Sequence, residues 1–410
     1  MTVSDAQQPT ILLAGGGTGG HVFPMIAVAD ALKQEAPELR LVFLGTDRGM
    51  ETQLVPAAGY ELELRAVLPI RGGGVSGAAK GVSRAALSIP EARRFLKGLQ
   101  PAAVFSIGGY AAGPVCVAAK SLGIPLALME PNSVIGLANW LIARLVNRAY
   151  TAFPEAEKHF RKAIILRAGV PLRSGFQPVA YQRREGAAFK LLVLGGSQGA
   201  KALNDALPTV VASLRQRGFT LHVVHQAGAG KAEALEARYA ELSVGAGQLP
   251  ASRVEVAEFI RDMPQRLAWA DLVIGRSGAS AVSEICAVGR GSVLVPYPFA
   301  AGDHQRFNAE SLVKDNAAQL VLQADAGPER LREVIEPLLA EPAKLEQMAA
   351  AAAERGRPLA ARAIARDLLR LGGIEPHSQH ESWEFGSGVG ESPAGDERAR
   401  FMAQPALEAR

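Results

Sequence analysis

The stretch ILLAGGGTGGHVFP, residues 11–24, decides the fold of this chain. Its apolar start, Ile11–Ala14, predicts a short buried strand, and glycine fills five of the next six positions. Apolar residues then recur with helical spacing at Met25, Val28 and Leu32. A strand, a glycine turn and a helix form a phosphate-binding geometry, because glycine lets the backbone approach a ligand and the helix start presents unpaired N–H groups.

The same loop matches the G-x-G-x-x-G pattern of dinucleotide folds at Gly15, Gly17 and Gly20. That pattern also requires an acidic residue at the end of the second strand, to hold a ribose. Here Gly45 ends that strand and Asp47 follows two residues later, so a nicotinamide site is poorly supported. A tight turn that binds no ligand remains an alternative.

Composition and charge limit the function classes. The 410 residues suffice for two domains, and 48% hydrophobic with 20% charged residues is typical of a globular protein. The net charge of +4 fits an anionic ligand or an anionic membrane surface and is too weak to indicate nucleic acid. The two cysteines, Cys116 and Cys286, stand in apolar contexts, which predicts free thiols in a reducing compartment.

Targeting signals are weak in this sequence. Residues 1–9 are polar, unlike a signal peptide, and no apolar run reaches the roughly 20 residues that a spanning helix needs. We therefore expect a cytosolic protein, or one that lies on the cytoplasmic side of the cell membrane as a peripheral protein.

Short apolar runs alternate with helical stretches in two series, which predicts parallel sheets covered by helices. The first series has five apolar runs, from TILLA at Thr10 to NRAYTAF at Asn147. The second series has six, and its first run is FKLLVLGG at Phe189. A Pro-, Gly- and Arg-rich linker, residues 167–190, separates them, and a second glycine loop, GGSQG, follows at 195–199. The predicted fold class is α/β, with two Rossmann-like domains facing each other across a cleft.

We place the domains at 10–165 and 166–354. A C-terminal helix at about 355–371 should pack back on the first domain, and a disordered tail should fill 372–410.

Five further segments place glycine or polar residues at predicted strand-to-helix junctions: 108–114, 129–133, 195–200, 275–284 and 303–309. Any one of them could be a connection or a helix cap. Together they predict one ligand site, because the carboxyl ends of parallel strands share an edge of the sheet. The sequence contains no Asp-x-Asp and no His, Asp or Glu cluster with metal-ligand spacing. We therefore expect no metal and no cofactor, with helix N-termini neutralising a diphosphate.

Six motifs, in this order, carry a resemblance to a known family: GGTGGHVFP, GGYAAGP, GGSQGA, EFIRDM, RSGASAVSE and HQRFNA. They resemble the MurG family, the membrane-associated N-acetylglucosaminyltransferases of peptidoglycan synthesis, over about residues 10–370. The resemblance implies the two-domain GT-B fold. It also implies transfer of GlcNAc from UDP-GlcNAc to muramyl-pentapeptide diphospho-undecaprenol, with inversion and without metal.

The resemblance also implies a set of site residues. Thr18, Gly19 and Gly20 would contact the donor or the acceptor diphosphate, Asn132 the donor sugar, Arg173 and Ser197 the diphosphate, and Ile260 the uracil through its backbone. The donor site would be lined by Ala279, Ser280, Ala281, Val282, Ser283 and Glu284, with Glu284 on the ribose and Gln305, beside His304, on the GlcNAc hydroxyls. Two segments depart from the family: Met129 and Pro131 replace polar residues, and the Asn of an Asn-Pro-x-Arg segment is absent before Arg173.

His21, directly after the first glycine loop, is the candidate catalytic residue. An imidazole ordinarily has a pKa near 6.5, which suits proton abstraction at neutral pH. It could act as the base, orient the acceptor hydroxyl, or serve as a helix-capping or packing residue. We assign the second-half glycine loop to UDP and therefore the first-half loop to the lipid diphosphate.

Two other functions stay open at this point: a UDP-GlcNAc 2-epimerase, which needs no second substrate, and a nucleotide-sugar-binding module without turnover. Residues 68–97 mix apolar and basic side chains, which predicts contact with an anionic membrane, although helices packing on the sheet would give the same pattern.

Overall fold

The computed structural model describes residues 8–65, 87–109, 112–184, 186–196, 198–243 and 252–377. The chain divides into two compact units, one of Met1–Ser174 with Leu359–Arg410 and one of Gly175–Pro358. Each unit is built on one parallel sheet, which confirms the predicted α/β class with two Rossmann-like domains.

The first unit has a seven-stranded sheet in the order β3-β2-β1-β4-β5-β6-β7. Its strands are β1 (Thr10–Gly15), β2 (Arg40–Gly45), β3 (Glu61–Leu64), β4 (Ala103–Gly108), β5 (Leu126–Glu130), β6 (Arg148–Thr151) and β7 (Ile164–Leu166). The helices that precede β7 in the chain are α1 (Gly19–Glu35), α2 (Glu51–Ala57), α3 (Ile89–Leu99), α4 (Ala112–Ser121) and α5 (Leu137–Ile142), followed by a 3-10 turn at Pro154–His159. Every residue of β1 and β4 is buried, because these central strands are covered on both faces.

The second unit has a six-stranded sheet in the order β10-β9-β8-β11-β12-β13. Its strands are β8 (Phe189–Leu194), β9 (Leu221–Gln226), β10 (Arg253–Ala257), β11 (Leu272–Gly275), β12 (Gly291–Leu294) and β13 (Ala318–Leu320). Its helices are α6 (Lys201–Gln216), α7 (Ala232–Ser243), α8 (Met263–Trp269), α9 (Ala279–Val288), α10 (His304–Lys314), α11 (Pro328–Ala340) and α12 (Pro342–Arg355), with 3-10 turns at Ala301–Asp303 and Gln323–Asp325.

The strand order reverses beside β1 in the first sheet and beside β8 in the second. At such a point the loops at the carboxyl ends of two central strands diverge and leave room for a ligand. β1 pairs with β4, and β8 pairs with β11, so each glycine loop lies next to a second loop of its own sheet.

The last helix returns to the first unit. This helix, α13 (Ala360–Leu371), packs against α1, where the buried Glu35 carboxylate binds Arg362 at 2.6 Å and Arg366 at 2.9 Å. The Tyr150 hydroxyl donates to Asp367 at 2.8 Å. Residues 372–377 stay attached, since the His377 N–H donates to the Glu35 carbonyl at 2.8 Å. The predicted tail from residue 378 onward lies outside the described residues.

The boundary between the units falls after Ser174, later than the expected division at 165 and 166. The chain beyond β7 remains part of the first unit because the Gly169 N–H donates to the Thr151 carbonyl at 3.1 Å. Val170 and Leu172 are buried there.

Both cysteines, Cys116 and Cys286, are buried free thiols, as the sequence predicted. None of the helices in the described part of the chain combines the length and the apolar composition of a membrane-spanning segment.

Candidate functional site

The first glycine loop ends where α1 begins. Thr18 is the N-cap residue of α1, and its carbonyl accepts the N–H of His21 at 3.0 Å. Thr18 and Gly20 are exposed, while Gly19 and His21 are half-buried. The first turn, Gly19–Val22, carries no acidic side chain, so this helix start offers positive potential to an anion.

The His21 ring bonds back onto the loop. Its Nδ1 lies 3.1 Å from the Gly16 carbonyl oxygen. A carbonyl can only accept, so in this hydrogen bond Nδ1 carries the proton and the neutral ring keeps its lone pair on Nε2.

Glu51 lies beneath the same loop with 1% of its surface exposed. Its carboxylate accepts the Gly17 N–H at 2.8 Å, and the Thr46 N–H and hydroxyl at 3.0 Å each. Burial by itself raises the pKa of Glu51, but the hydrogen bonds from Gly17 and Thr46 outweigh it and hold that pKa below its ordinary value. The Gly17 N–H, which a dinucleotide fold would turn toward a pyrophosphate, thus binds a carboxylate of the chain itself.

The loops after β4 and β5 complete this edge of the first sheet. Gly109 has φ +93°, and a Cβ there would come within 2.9 Å of the Gly16 carbonyl, so only glycine allows the two loops to meet. At the end of β5, one oxygen of the buried Glu130 accepts the Asn132 N–H at 3.0 Å. The other oxygen accepts the Gly136 N–H at 3.1 Å and the Asn139 amide at 2.8 Å.

These contacts place Asn132 at the same sheet edge as Thr18 and His21, although on a different loop. Burial raises the pKa of Glu130, against the opposing hydrogen bonds from Asn139, Asn132 and Gly136. Met129, which stands where the family has a polar residue, is fully buried in the core.

In the second unit, the loop after β8 is closed by backbone contact. Gly199 has φ +72°, and a Cβ there would collide with the Ala227 carbonyl. The Asn204 amide donates to that carbonyl at 2.9 Å, and its Oδ1 lies 3.2 Å from Nε2 of His225. Ser197, predicted to bind the diphosphate, lies outside the described residues.

His225 is fully buried, and burial lowers its pKa to about 3. The ring is therefore neutral, with Nε2–H donating to Asn204 and Nδ1 lying 3.0 Å from the Tyr239 hydroxyl. This network fixes the helix that follows the loop.

The loop after β11 holds the predicted donor residues. Gly278 is the N-cap of α9 and has φ −62° and ψ 145°. The Ser277 hydroxyl donates to the Gln305 carbonyl at 2.8 Å, and Gln305 Oε1 accepts the Tyr297 N–H at 3.0 Å. Gln305 Nε2 lies 4.0 Å from the position of a Cβ on Gly278, so its amide faces the start of α9.

The structure therefore brings together most of the predicted donor residues of the second unit. They lie at the start of α9 and α10: Ala279, Ser280, Ala281, Val282, Ser283, Glu284 and Gln305, with His304 adjacent. Val282 is buried and packs into the core, whereas Glu284 is half-buried. Ile260 is 4% exposed and precedes α8, which packs against α9. Arg173 is an exposed residue at the end of the first unit.

Arg276 was missed by sequence reasoning. Its guanidinium donates to the carbonyls of Val295 at 3.0 Å and Pro296 at 3.1 Å, and to Gln323 Oε1 at 2.7 Å. Burial lowers its pKa. These contacts fix the segment between β12 and α10, which carries Gln305 into place. Glu51 and Asn139 were missed as well, because no sequence motif marks the groups that they bind.

The predicted membrane surface is described only from Leu87 onward. There, Leu96 is buried and Ile89 and Phe95 pack on the core of the first unit. These three apolar side chains are therefore taken up by packing within the first unit, where α3 contacts α4, whereas Leu87 of the same segment is exposed. Arg94 and Lys97 are exposed.

Across the described ranges, no cluster of three His, Cys, Asp or Glu side chains could hold a metal ion.

Comparisons with known proteins match both halves of the chain to one family. Residues 11–151 match the model of the glycosyltransferase family 28 N-terminal domain, and residues 190–364 match that of the C-terminal domain. A relative from Sorangium cellulosum is 50% identical over 370 residues, 90% of each chain. One from Anaeromyxobacter sp. is 41% identical over 88% of this chain and 92% of its own. Both are named UDP-N-acetylglucosamine--N-acetylmuramyl-(pentapeptide) pyrophosphoryl-undecaprenol N-acetylglucosamine transferase.

Solved structures with the same fold include a member of the MurG family. The crystal structure of Acinetobacter baumannii MurG superposes with a TM-score of 0.73 at 31% identity, over 88% of this chain and 99% of that one. A UDP-GlcNAc 2-epimerase from Neisseria meningitidis superposes with a TM-score of 0.58 at 12% identity, over 88% of this chain and 100% of that one, which shows a shared fold alone.

Proposed function

The chain belongs to glycosyltransferase family 28, and on this premise we infer that it transfers GlcNAc from UDP-GlcNAc to the lipid-linked N-acetylmuramyl-pentapeptide of peptidoglycan synthesis. The observation that carries the inference is the 50% identity to the Sorangium transferase over 90% of both chains. The C4 hydroxyl of the acceptor sugar attacks the anomeric carbon of GlcNAc, the bond from that carbon to the diphosphate breaks, and UDP leaves with inversion. The hydroxyl proton passes to a base.

The donor belongs to the second unit. The N–H groups at the start of α9 and the positive end of its dipole suit the diphosphate of UDP-GlcNAc, and the charge that develops on it as UDP leaves. Glu284 would bind the ribose hydroxyls, and the Gln305 amide would bind the sugar. Arg173, Ser197 and Ile260 keep the roles that the family resemblance implies.

The acceptor belongs to the first unit. Thr18, Gly19 and Gly20 would bind the lipid diphosphate at the start of α1. Asn132, at the same sheet edge, keeps the contact with the donor sugar that the family resemblance implies. His21 would be the base, because its Nε2 keeps a lone pair while Nδ1–H is bound to Gly16.

Replacement of His21 tests the assignment of the two loops. His21→Ala should lower kcat by roughly 10²–10⁴, the usual contribution of general base catalysis, and leave the affinity for UDP within about twofold. Thr18→Ala should mainly raise KM for the lipid. Near-normal kcat with lost UDP binding in His21→Ala would show that the loops were assigned to the wrong ligands.

The membrane supplies the acceptor, so we also propose that the first unit binds an anionic membrane surface. Helix α3 packs against α4, and α4 packs against α5. α3 contributes the exposed Arg94 and Lys97, while α5 exposes an apolar stripe in which Leu137 is 57%, Trp140 53% and Leu141 45% accessible. Basic residues and a tryptophan beside apolar side chains suit an anionic lipid interface.

Vesicle co-sedimentation tests the membrane proposal. Binding should require anionic lipid and weaken with salt, and Trp140→Ala should reduce it. Binding that ignores both lipid charge and salt would reject the proposal.

An assay of UDP release, with and without the lipid acceptor, tests the reaction itself. A transferase releases UDP in proportion to acceptor. A 2-epimerase would turn over UDP-GlcNAc without any acceptor, and a binding module would release none.

A further inference from the structure

The peptide bond between Gly16 and Gly17 is held at both ends by side chains. Its carbonyl oxygen lies 3.1 Å from Nδ1 of His21, and its N–H lies 2.8 Å from a carboxylate oxygen of Glu51. This peptide is trans, so its C=O and N–H point in opposite directions. A carboxylate, one peptide unit and an imidazole therefore form a continuous chain of hydrogen bonds.

We propose that Glu51 is a positioning residue for His21 and acts through the Gly16–Gly17 peptide. The inference rests on the proposed role of His21 as the base.

The carboxylate would affect the imidazole in two ways. First, it fixes the orientation of the peptide, so that a carbonyl oxygen faces Nδ1 and selects the tautomer with the proton on Nδ1 and the lone pair on Nε2. Second, an ionised acceptor on the N–H side polarises the peptide, which strengthens the carbonyl as an acceptor for Nδ1–H. Both effects stabilise the ring more strongly when Nε2 takes the hydroxyl proton and the ring becomes positively charged.

The surroundings of Glu51 suit this role. Its pKa is held below the ordinary value, so the group is ionised at neutral pH. A Cβ at Gly16, Gly45 or Gly49 would collide with the carboxylate, so three glycines enclose it closely. The nearby charged pair of Arg48 and Asp47 lies in solvent, with exposures of 73% and 67%.

The two carboxylate oxygens have separate tasks, which provides a matched control. Oε2 accepts the Gly17 N–H and therefore holds the peptide, whereas Oε1 accepts both hydrogen bonds from Thr46. In Glu51→Gln the side chain keeps its size but has one acceptor oxygen, so either Gly17 or Thr46 loses its partner and the charge is gone. Thr46→Val removes one bond to the same carboxylate and keeps both the charge and the Gly17 contact.

The kinetic test is a double-mutant cycle. Glu51→Gln should lower kcat about 10- to 100-fold, the usual effect of losing the partner that orients a histidine, with KM for UDP-GlcNAc within about twofold. In the His21→Ala background the same change should cost almost nothing further, because its effect passes through the ring. Thr46→Val should lower the melting temperature yet keep kcat within about twofold.

The spectroscopic test does not depend on any variant at Glu51 folding. In ¹⁵N-histidine NMR of the wild-type protein, with the His21 signals identified from their loss in His21→Ala, the neutral ring should be the Nδ1–H tautomer. A wild-type Nε2–H tautomer, or an equal loss from Glu51→Gln with and without His21, would overturn the proposal. Near-normal kcat in His21→Ala would instead reject His21 as the base, and a lack of acceptor-dependent UDP release would reject the transferase function itself.

Discussion

Replacing Gly278 with alanine should weaken binding of the donor nucleotide while leaving the stability of the fold nearly unchanged. Gly278 is the N-cap of α9, with φ −62° and ψ 145°, a conformation that alanine adopts without strain. The nearest atom to a Cβ at this position is Gln305 Nε2, at 4.0 Å. The methyl group of Gly278→Ala therefore fits the protein alone, and it lies on the side of the Gln305 amide, at the start of α9.

The expected magnitude follows from that placement. If the UDP diphosphate binds against the start of α9, the methyl group has to share its space, and overfilling a packed contact costs about 1–3 kcal/mol. That cost corresponds to a roughly 5- to 150-fold weaker Kd for UDP. Folding stability should fall by about 1 kcal/mol or less, the usual difference between glycine and alanine at an N-cap.

Isothermal titration with UDP and thermal unfolding measure the two quantities. Gly327→Ala is the matched control, because Gly327 is the N-cap of α11 in the same unit, has φ −73°, and a Cβ there would meet nothing within 4 Å. Both variants should unfold alike, and only Gly278→Ala should lose UDP affinity. Normal UDP binding by a folded Gly278→Ala protein would refute the placement of the diphosphate at α9.

Three further predictions follow from the second unit. Glu284→Ala should raise KM for UDP-GlcNAc at least tenfold, because two hydrogen bonds to a charged acceptor are worth about 1.5–3 kcal/mol each; an unchanged UDP affinity by titration would argue against the ribose contact. Transfer should survive EDTA within a few-fold, as the helix start neutralises the diphosphate, whereas full loss restored by Mg²⁺ would contradict this. Burial lowers the pKa of His225 to about 3, so the unfolded chain, with a pKa near 6.5, binds that proton more tightly. The free energy of unfolding of this unit should therefore fall as pH drops from 6.5 toward 3, by about 1.4 kcal/mol per pH unit. Hydrogen exchange measures that free energy at each pH, and its dependence on pH should be weaker in His225→Gln than in the wild-type protein.

The sequence by itself predicted the fold class because the deciding signals are local. Apolar runs the length of a strand, followed by glycine and then a helical repeat, indicate parallel α/β units wherever they occur. The same logic located the glycine loops and the segments around Asn132, Gln305 and α9, since the ends of parallel strands share one edge of a sheet.

Features that depend on neighbours distant in the sequence were not predicted from local sequence patterns. β3 and β7 were not identified, because these edge strands are short and depend on pairing with one neighbour. The apolar side chains of α3 look the same in sequence whether they face a membrane or α4. Whether Ile89 and Phe95 pack inward is decided by what lies next to them, which the sequence pattern does not contain.

The tertiary structure alone decided the polar contacts that support the site. Glu51 meets Gly17 across 34 residues of chain, and Arg276 meets Gln323 across 47. No periodicity or motif marks such pairs, because a hydrogen bond depends on distance and direction between atoms that folding brings together. The sequence therefore identified His21 as a candidate base, whereas the carboxylate and peptide that orient its ring became visible only once the chain had folded.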